Sequence, residues 1–422
     1  MQRRTLLKNL LAASVAVPLG AQAVGAAPAD AAPPLDAARW APHNAQRLQA
    51  AIRSVGRASP GYLEARRPYA VFDWDNTCIM NDCEEALLMY QIEEFAFRLA
   101  PDEFALVLRQ NVPAGPFKAE AGHVTTDGKP VTMADLADDV DDAYRWLHEN
   151  RSDGMTVAQL REMPQFENLR AKLYFMYEAI CDTHPIEVGY KWVIGFLANM
   201  TPAQLRTLAT AAIQRGLGDA LSKVKLLSSY NLPGKAGVVA ASHFRGLRVN
   251  DDIRALMHTL RANGIDVYVS TASLDDVVRA FACDPDLGYG VVAENVIGLR
   301  LEMRDGKYTS VYRKGWHFNW GAGKTVGIRA VLGGRGDPAM VFGDSDGDAW
   351  MLRDFAGTEI SMMINRVKGG EIGKLGKLAA GSAGRADARY LLQGRNEHTG
   401  MLLPDERTLK YGKSERALLA AG

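Results

Sequence analysis

The stretch that decides the fold is "YAVFDWDNTCIMNDCEE", residues Tyr69–Glu85. Tyr69 to Phe72 is apolar throughout and bounded by Pro68, which reads as a short buried strand. Directly after it, Asp73 and Asp75 stand one residue apart. In an extended chain, residues i and i+2 share a face, so the two carboxyl groups point the same way. Two unit charges about 4 Å apart repel by about 4 kcal/mol at an effective dielectric of about 20. A cation between them removes that cost. Mg²⁺ suits the place, because it takes oxygen ligands and rarely needs more than one or two carboxylates. The plainer reading of the same residues is an acidic turn that caps a helix. The rest of the chain separates the two.

The bulk numbers exclude several classes. A chain of 422 residues has room for two or three domains and a large core. Its 49 basic and 49 acidic side chains cancel, so bulk charge favours neither nucleic acid nor an anionic membrane as partner. Beyond the N-terminus no apolar run reaches the length of a membrane-spanning helix. The N-terminus itself reads as an export signal over residues 1–27. Arg3 and Arg4 precede Leu6, Leu7 and Lys8, an apolar run follows from Leu10 to Leu19, and Ala21 and Ala23 are small. The paired arginines resemble a twin-arginine signal, which predicts a periplasmic or secreted protein. The Ala/Pro-rich stretch to Leu35 is a linker. The four cysteines, Cys78, Cys83, Cys181 and Cys283, fit no zinc spacing and are too few for a disulfide scaffold. Buried free thiols are expected, with a Cys78–Cys83 bridge as the alternative.

Along the chain, a mostly helical region follows the first strand. "TMADLADDVDDAYRWLHEN" keeps helical spacing behind a Thr132 cap, and "TPAQLRTLATAAIQRGLGD" does so behind Thr201 with Pro202 at the first helical position. "AKLYFMYEAI" and "YKWVIGFLANM" between them are apolar helical segments, and Trp146 and Trp192 read as core. Near Gly246 the pattern changes to helix-then-strand steps. A helix with Ile253, Leu256, Met257 and Leu260 inward precedes a strand at Val267–Val269; strands follow at Ala339–Phe342 and in "EISMMINR". The expected fold is α/β: a Rossmann-like parallel sheet with helices on both faces and a mostly helical cap inserted after the first strand. The expected division is residues 28–78 for the first part of the core, 79–246 for the cap, and 247–422 for the second part with its tail.

Three strands end in chemistry: Asp73 and Asp75, then Ser270 and Thr271, then Asp344 and Asp348, with Lys324 at a glycine-flanked helix start before the last. Parallel strands deliver their carboxyl ends to one edge, so these groups converge. A phosphate ester gives each a task. Asp73 attacks phosphorus, Asp75 protonates the leaving alcohol and then activates water, Ser270 donates to a phosphoryl oxygen, and Lys324 offsets charge. Asp344 and Asp348 complete a Mg²⁺ site. A calcium-loop reading of "DSDGD" fails because no Glu follows at the required place.

"DWDNT", "YVSTAS", Lys324 and "GDSDGD" resemble, in order, the four motifs of the haloacid dehalogenase superfamily, and the insert resembles the cap of its phosphoserine-phosphatase-like branch. The resemblance implies Mg²⁺, an aspartyl-phosphate on Asp73, and metal held by Asp73, the Asp75 carbonyl, Asp344 and Asp348. It covers about Tyr69 to Arg366. Gly347 departs from the Asn of the phosphoserine phosphatases, which implies a looser surround for the metal. Within the superfamily the likeness runs toward exported bacterial phosphorylcholine phosphatases. Asp82, Glu84 and Glu85 would attract a cationic head group, and Trp74 and Trp320 would offer it aromatic faces. Thr77 and Thr271 join Trp74, Asp82, Glu85 and Trp320 as candidate substrate contacts. Alternatives are a broad-specificity exported acid phosphatase, a phosphoserine-phosphatase-like enzyme, or a phosphotransferase or mutase. A phosphoester-binding protein without turnover would not need the Asp73/Asp75 pair.

Overall fold

The computed structural model describes residues 35–421; the expected export signal at 1–27 lies outside the described residues. Tyr69–Phe72 forms the strand read from sequence, here β1, buried at every position. Its alternate residues enter two apolar clusters on opposite faces: Ala70 and Phe72 in one, Tyr69 and Val71 in the other. A strand buried on both faces reads as a continuous apolar run, which is why this one was legible.

Between β1 and the next core strand lies a long insert. It holds the helices α1 (Cys83–Glu93), α2 (Met133–Ser152), α3 (Pro164–Thr183), α4 (Ile186–Ile194) and α5 (Pro202–Gly218). The expected caps are in place: Thr132 Oγ1 accepts from Asp135 N at 3.1 Å, and Thr201 forms a reciprocal box with Gln204. Trp192 is buried and donates Nε1 to the Leu108 carbonyl at 2.9 Å, while Trp146 is only partly buried against the core. The insert also contains an antiparallel hairpin, β2 (Ser222–Leu227) with β3 (Ala240–Arg245), which sequence reading missed. Its signal was the alternation of exposed Lys223 and Lys225 with inward Val224 and Leu226. At the insert's base, Ile79–Met80 pairs antiparallel with Arg248–Val249, so the outgoing and returning chains are tied together.

The remaining core strands are β4 (Asp266–Leu274), β5 (Val296–Leu299), β6 (Met340–Gly343), β7 (Ile360–Ile364) and β8 (Tyr390–Gln393). They form one six-stranded parallel sheet in the order β8-β7-β6-β1-β4-β5. The protein is an α/β Rossmann-like sheet protein, as expected. β4 runs well past the expected Val267–Val269, so Ser270 and Thr271 stand within a strand rather than in a loop. Flanking helices include α6 (Asp251–Ala262), α7 (Ala322–Leu332) and α8 (Gly370–Gly381). β1 lies centrally between β4 and β6, and chemistry concentrates at such a switch in strand order. All four cysteines are free thiols, Cys78 and Cys83 buried.

Candidate active site

The carboxyl end of β1 is pinned to its neighbour: Asp73 N donates to the Phe342 carbonyl at 2.9 Å, and the Phe72 and Phe342 rings stack 4.1 Å apart. This fixes Asp73 at the floor of a cavity of about 680 Å³, which Asp75, Thr271, Lys324, Asp344 and Asp348 also border. Lys324, fully buried at the start of α7, lies at the centre. Its Nζ donates to Asp73 Oδ1 at 2.5 Å, Asp348 Oδ1 at 2.7 Å and the Ser270 carbonyl at 2.8 Å. Burial disfavours a charged lysine, but Asp348 and Asp73 outweigh it and raise its pKa. Burial also raises Asp73, and Asp348 adds to that, while Lys324 opposes.

Asp73, Asp344 and Asp348 each offer a carboxylate oxygen within 4.8 Å of the others, and all three are buried. A metal fits here for a specific reason. The Thr77 hydroxyl donates to Asp73 Oδ2 at 2.8 Å and lies 3.2 Å from Asp344 Oδ1, one proton between two anionic oxygens. A hard divalent cation meets that deficit with oxygen donors alone. Asp348 is more heavily engaged, its Oδ2 accepting from Asp344 N at 2.9 Å and Ser345 N at 3.0 Å while Oδ1 faces Lys324. Burial would raise Asp344, but Arg366, which donates to Oδ2 at 2.7 Å, and Lys368 overcome it and hold the carboxyl at about 2. Asp75 stands apart from the cluster. Its Oδ1 accepts from Cys83 N and its Oδ2 from Ser273 Oγ, both at 2.8 Å, and burial raises it despite those bonds.

Residues 192–353 match the haloacid dehalogenase-like hydrolase family. A phosphorylcholine phosphatase from Pseudomonas aeruginosa is 27% identical over 330 residues, 71% of this chain and 74% of that protein. A conserved protein of unknown function from Anaerococcus prevotii superposes with a TM-score of 0.82 at 29% identity, covering 89% of this chain and 98% of that one. The chain carries a haloacid dehalogenase-like hydrolase domain. Phosphoester hydrolysis is the activity that family and relative support.

In this hydrolase several expected site residues occupy other places than the sequence implied. Trp74 offers no face to a ligand: its ring packs against Phe281 and Tyr289, centroids 5.5 and 4.9 Å away, and it is fully buried outside the cavity. At a strand end its neighbours point into the site, and alternation sends Trp74 the other way. Ser270 is likewise turned away, its hydroxyl accepting from Asn319 Nδ2 at 3.1 Å; Thr271 and Ser273 of the same strand border the cavity. Thr77 touches carboxylates and does not border the cavity. Asp82, Glu85 and Trp320 do border it. A Cβ at Gly347 would lie 2.7 Å from Trp320 Nε1, so the absent side chain makes room for the indole and does not merely loosen the surround.

Opposite the floor, the insert supplies a wall. Asp82, Glu84 and Glu85 at the start of α1 face the cavity together with Tyr177 of α3, Tyr190 of α4 and Phe244 of β3. The acids' partners are backbone N–H groups and the Tyr174 hydroxyl: Asp82 Oδ1 accepts from Glu84 N and Glu85 N, Glu84 Oε1 from Leu274 N, and Glu85 Oε2 from Tyr174 at 3.3 Å. Burial pushes Glu84 up to about 8, and it raises Asp82 and Glu85 as well. The insert aromatics, Asn319 and Arg366 escaped sequence reading. Nothing but fold places the tyrosines here, whereas Asn319 sits one residue before "WGAGK".

Proposed function

We propose that this protein is a Mg²⁺-dependent phosphomonoesterase that works through an aspartyl-phosphate on Asp73 and takes small esters with a cationic head group, phosphocholine foremost. The single observation that supports the reading most is the opposition of floor and wall. Nucleophile, Lys324 and the late acids are gathered at the strand ends, and an acidic, aromatic surface faces them.

Asp73 and Asp344, with Asp348, would hold the metal, which supplies charge neutralisation for the approach of a phosphate to a carboxylate. The chain's own residues do the rest. Thr77 holds Asp73 Oδ2 and Lys324 holds Asp73 Oδ1, so the plane of the carboxylate is fixed. Asp73 attacks phosphorus, forming the P–O bond as the ester P–O bond breaks. Asp75, which borders the cavity and whose carboxyl pKa burial raises, gives its proton to the leaving alcohol and takes one back from the attacking water. Thr271 Oγ1 accepts from Ser273 N and keeps its own proton for a phosphoryl oxygen. Orthophosphate and free Asp73 result.

Tyr177 and Tyr190 line the wall and Trp320 borders the cavity beside Gly347; an aromatic face from any of them would be worth about 0.5–2 kcal/mol to a quaternary ammonium. A carboxylate-bearing ester such as phosphoserine would meet three acids and be refused. The likeness to the Pseudomonas aeruginosa phosphorylcholine phosphatase supports this preference. Residues 79–246 act as the cap domain between core segments 28–78 and 247–422, and the N-terminal signal directs export to the periplasm or beyond; no described helix is long and apolar enough to cross a membrane. A panel of phosphomonoesters assayed with the mature protein and with Asp73→Asn tests the reading. Phosphocholine should lead, and Asp73→Asn should be inert on every ester.

A further inference from the structure

The loop that carries Asp75 turns sharply. Asn76, the next residue, has φ +63° and so does not relax into the usual backbone regions; its N–H donates to the Asn81 carbonyl at 3.1 Å, and Asn81 itself has φ +66°. Asparagine takes left-handed backbone more readily than other side chains, and a loop held in this turn still depends on its hydrogen-bond partners. The restraint comes from the far end of the chain. Arg395, 2% exposed, donates Nη1 to the Asn76 carbonyl at 2.7 Å and Nη2 to Asn76 Oδ1 at 3.1 Å. A buried guanidinium needs a counter-charge, and buried Glu397 supplies it with Oε1 3.4 Å from Nη2. Glu397 also accepts from Lys410 Nζ at 3.1 Å and from Tyr411 N at 3.1 Å. Lys410 Nζ in turn donates to the Arg366 carbonyl at 3.1 Å, and Arg366 grips Asp344. One knot in the tail therefore holds the Asp75 loop and the Asp344 loop at a fixed separation.

We propose that Arg395, secured by Glu397 and Lys410, is a positioning residue that sets where the Asp75 carboxyl stands relative to the leaving oxygen. The proposal rests on the reading of Asp75 as general acid. Cys83 N and Ser273 Oγ fix the Asp75 carboxyl from one side, and Arg395 fixes the carbonyl and side chain of the next residue, Asn76. Two acceptors on one residue require a planar fork, which a lysine ammonium does not provide. Methionine keeps the apolar stem of the side chain, donates nothing, and leaves Glu397 paired with Lys410.

The test compares kcat/KM, which reports steps through leaving-group departure, for an alkyl ester (phosphocholine) and an activated aryl ester (4-nitrophenyl phosphate). A misplaced acid hurts the ester that needs protonation. Arg395→Met should lower kcat/KM for phosphocholine about 10²-fold, the scale of a group misplaced by about 1 Å, and for the aryl ester far less. Arg395→Lys should fall between. Asn76→Gly, which removes one acceptor and frees the backbone, should show the same signature more weakly and covers the case in which Arg395→Met fails to fold. Equal losses on both esters in Arg395→Lys and Asn76→Gly would overturn the positioning role and leave the phosphatase reading standing. A wild-type protein inert on both esters, or an active Asp73→Asn, would instead overturn the phosphatase reading itself.

Discussion

The floor and the wall of the cavity are both built from buried carboxyl groups, and they are treated in opposite ways. On the floor each acid meets a cation: Asp73 and Asp348 share Lys324, and Asp344 has Arg366. On the wall Asp82, Glu84 and Glu85 meet backbone N–H groups and a tyrosine hydroxyl. Asp344 is accordingly held at about 2 while Glu84 is pushed up to about 8. Desolvation acts on both sets; what differs is the partner charge. The floor is organised in advance for anion chemistry. The wall's acids have pKa values raised by burial, and a cationic ligand would draw their protons off.

The comparison breaks first at the nucleophile. Asp73→Asn preserves shape and removes the attacking oxygen's charge, so kcat should fall by at least about 10³-fold with the fold intact by circular dichroism. Substantial residual turnover would end the covalent account. Next comes the metal: excess chelator should abolish activity and Mg²⁺ restore it, with Ca²⁺ a poor substitute because its larger shell positions the phosphate loosely. Asp344→Ala should raise the Mg²⁺ concentration needed for half activity sharply, a shift absent if the late acids hold no metal.

Smaller effects sharpen the wall. Trp320→Leu should raise KM for phosphocholine several-fold, the loss of one aromatic face. Trp74→Phe should leave KM unchanged and lower the melting temperature, since its ring only packs. Glu84 makes a pH-dependent contribution with a definite sign. The unfolded chain releases this proton in the ordinary carboxylate range, near 4.5, and the folded protein keeps it to about 8. Stability from Glu84 is therefore complete below about 4.5 and is lost as pH rises toward about 8. In chelator, the melting temperature of wild type should fall across that window more than that of Glu84→Gln; parallel curves would show that Glu84 titrates normally.

The parts that were legible in sequence are those that local chemistry dictates. β1 is apolar at every position because both its faces are buried; Asp73 and Asp344 stand at the ends of such runs, Asp348 follows in the same acidic loop, and Lys324 marks a glycine-flanked helix start. Which side chain on a strand faces the site was not legible. Ser270 and Thr271 are adjacent hydroxyls, and only the path of β4 turns the first to Asn319 and the second to the cavity. Trp74 failed for the same reason, lying between two inward acids. Tyr177 and Tyr190 lie in segments whose sequence shows only an apolar helix, and only the way the insert closes over the sheet edge brings them to the wall. Arg395 was hidden by distance: its partner Asn76 lies at the opposite end of the chain.

The central claim is that the acids of the wall receive a cationic head group while the floor does the chemistry. Phosphocholine and 3,3-dimethylbutyl phosphate have the same shape and differ only in the positive charge of the head group. Their kcat/KM ratio is the most direct measurement, taken for wild type and for Asp82→Asn with Glu85→Gln, in which Asn keeps the helix cap. Wild type should prefer phosphocholine by about tenfold or more, and the double variant should lose that preference while turning over the neutral ester as before. Equal rates on the two esters in the wild-type protein would contradict the account.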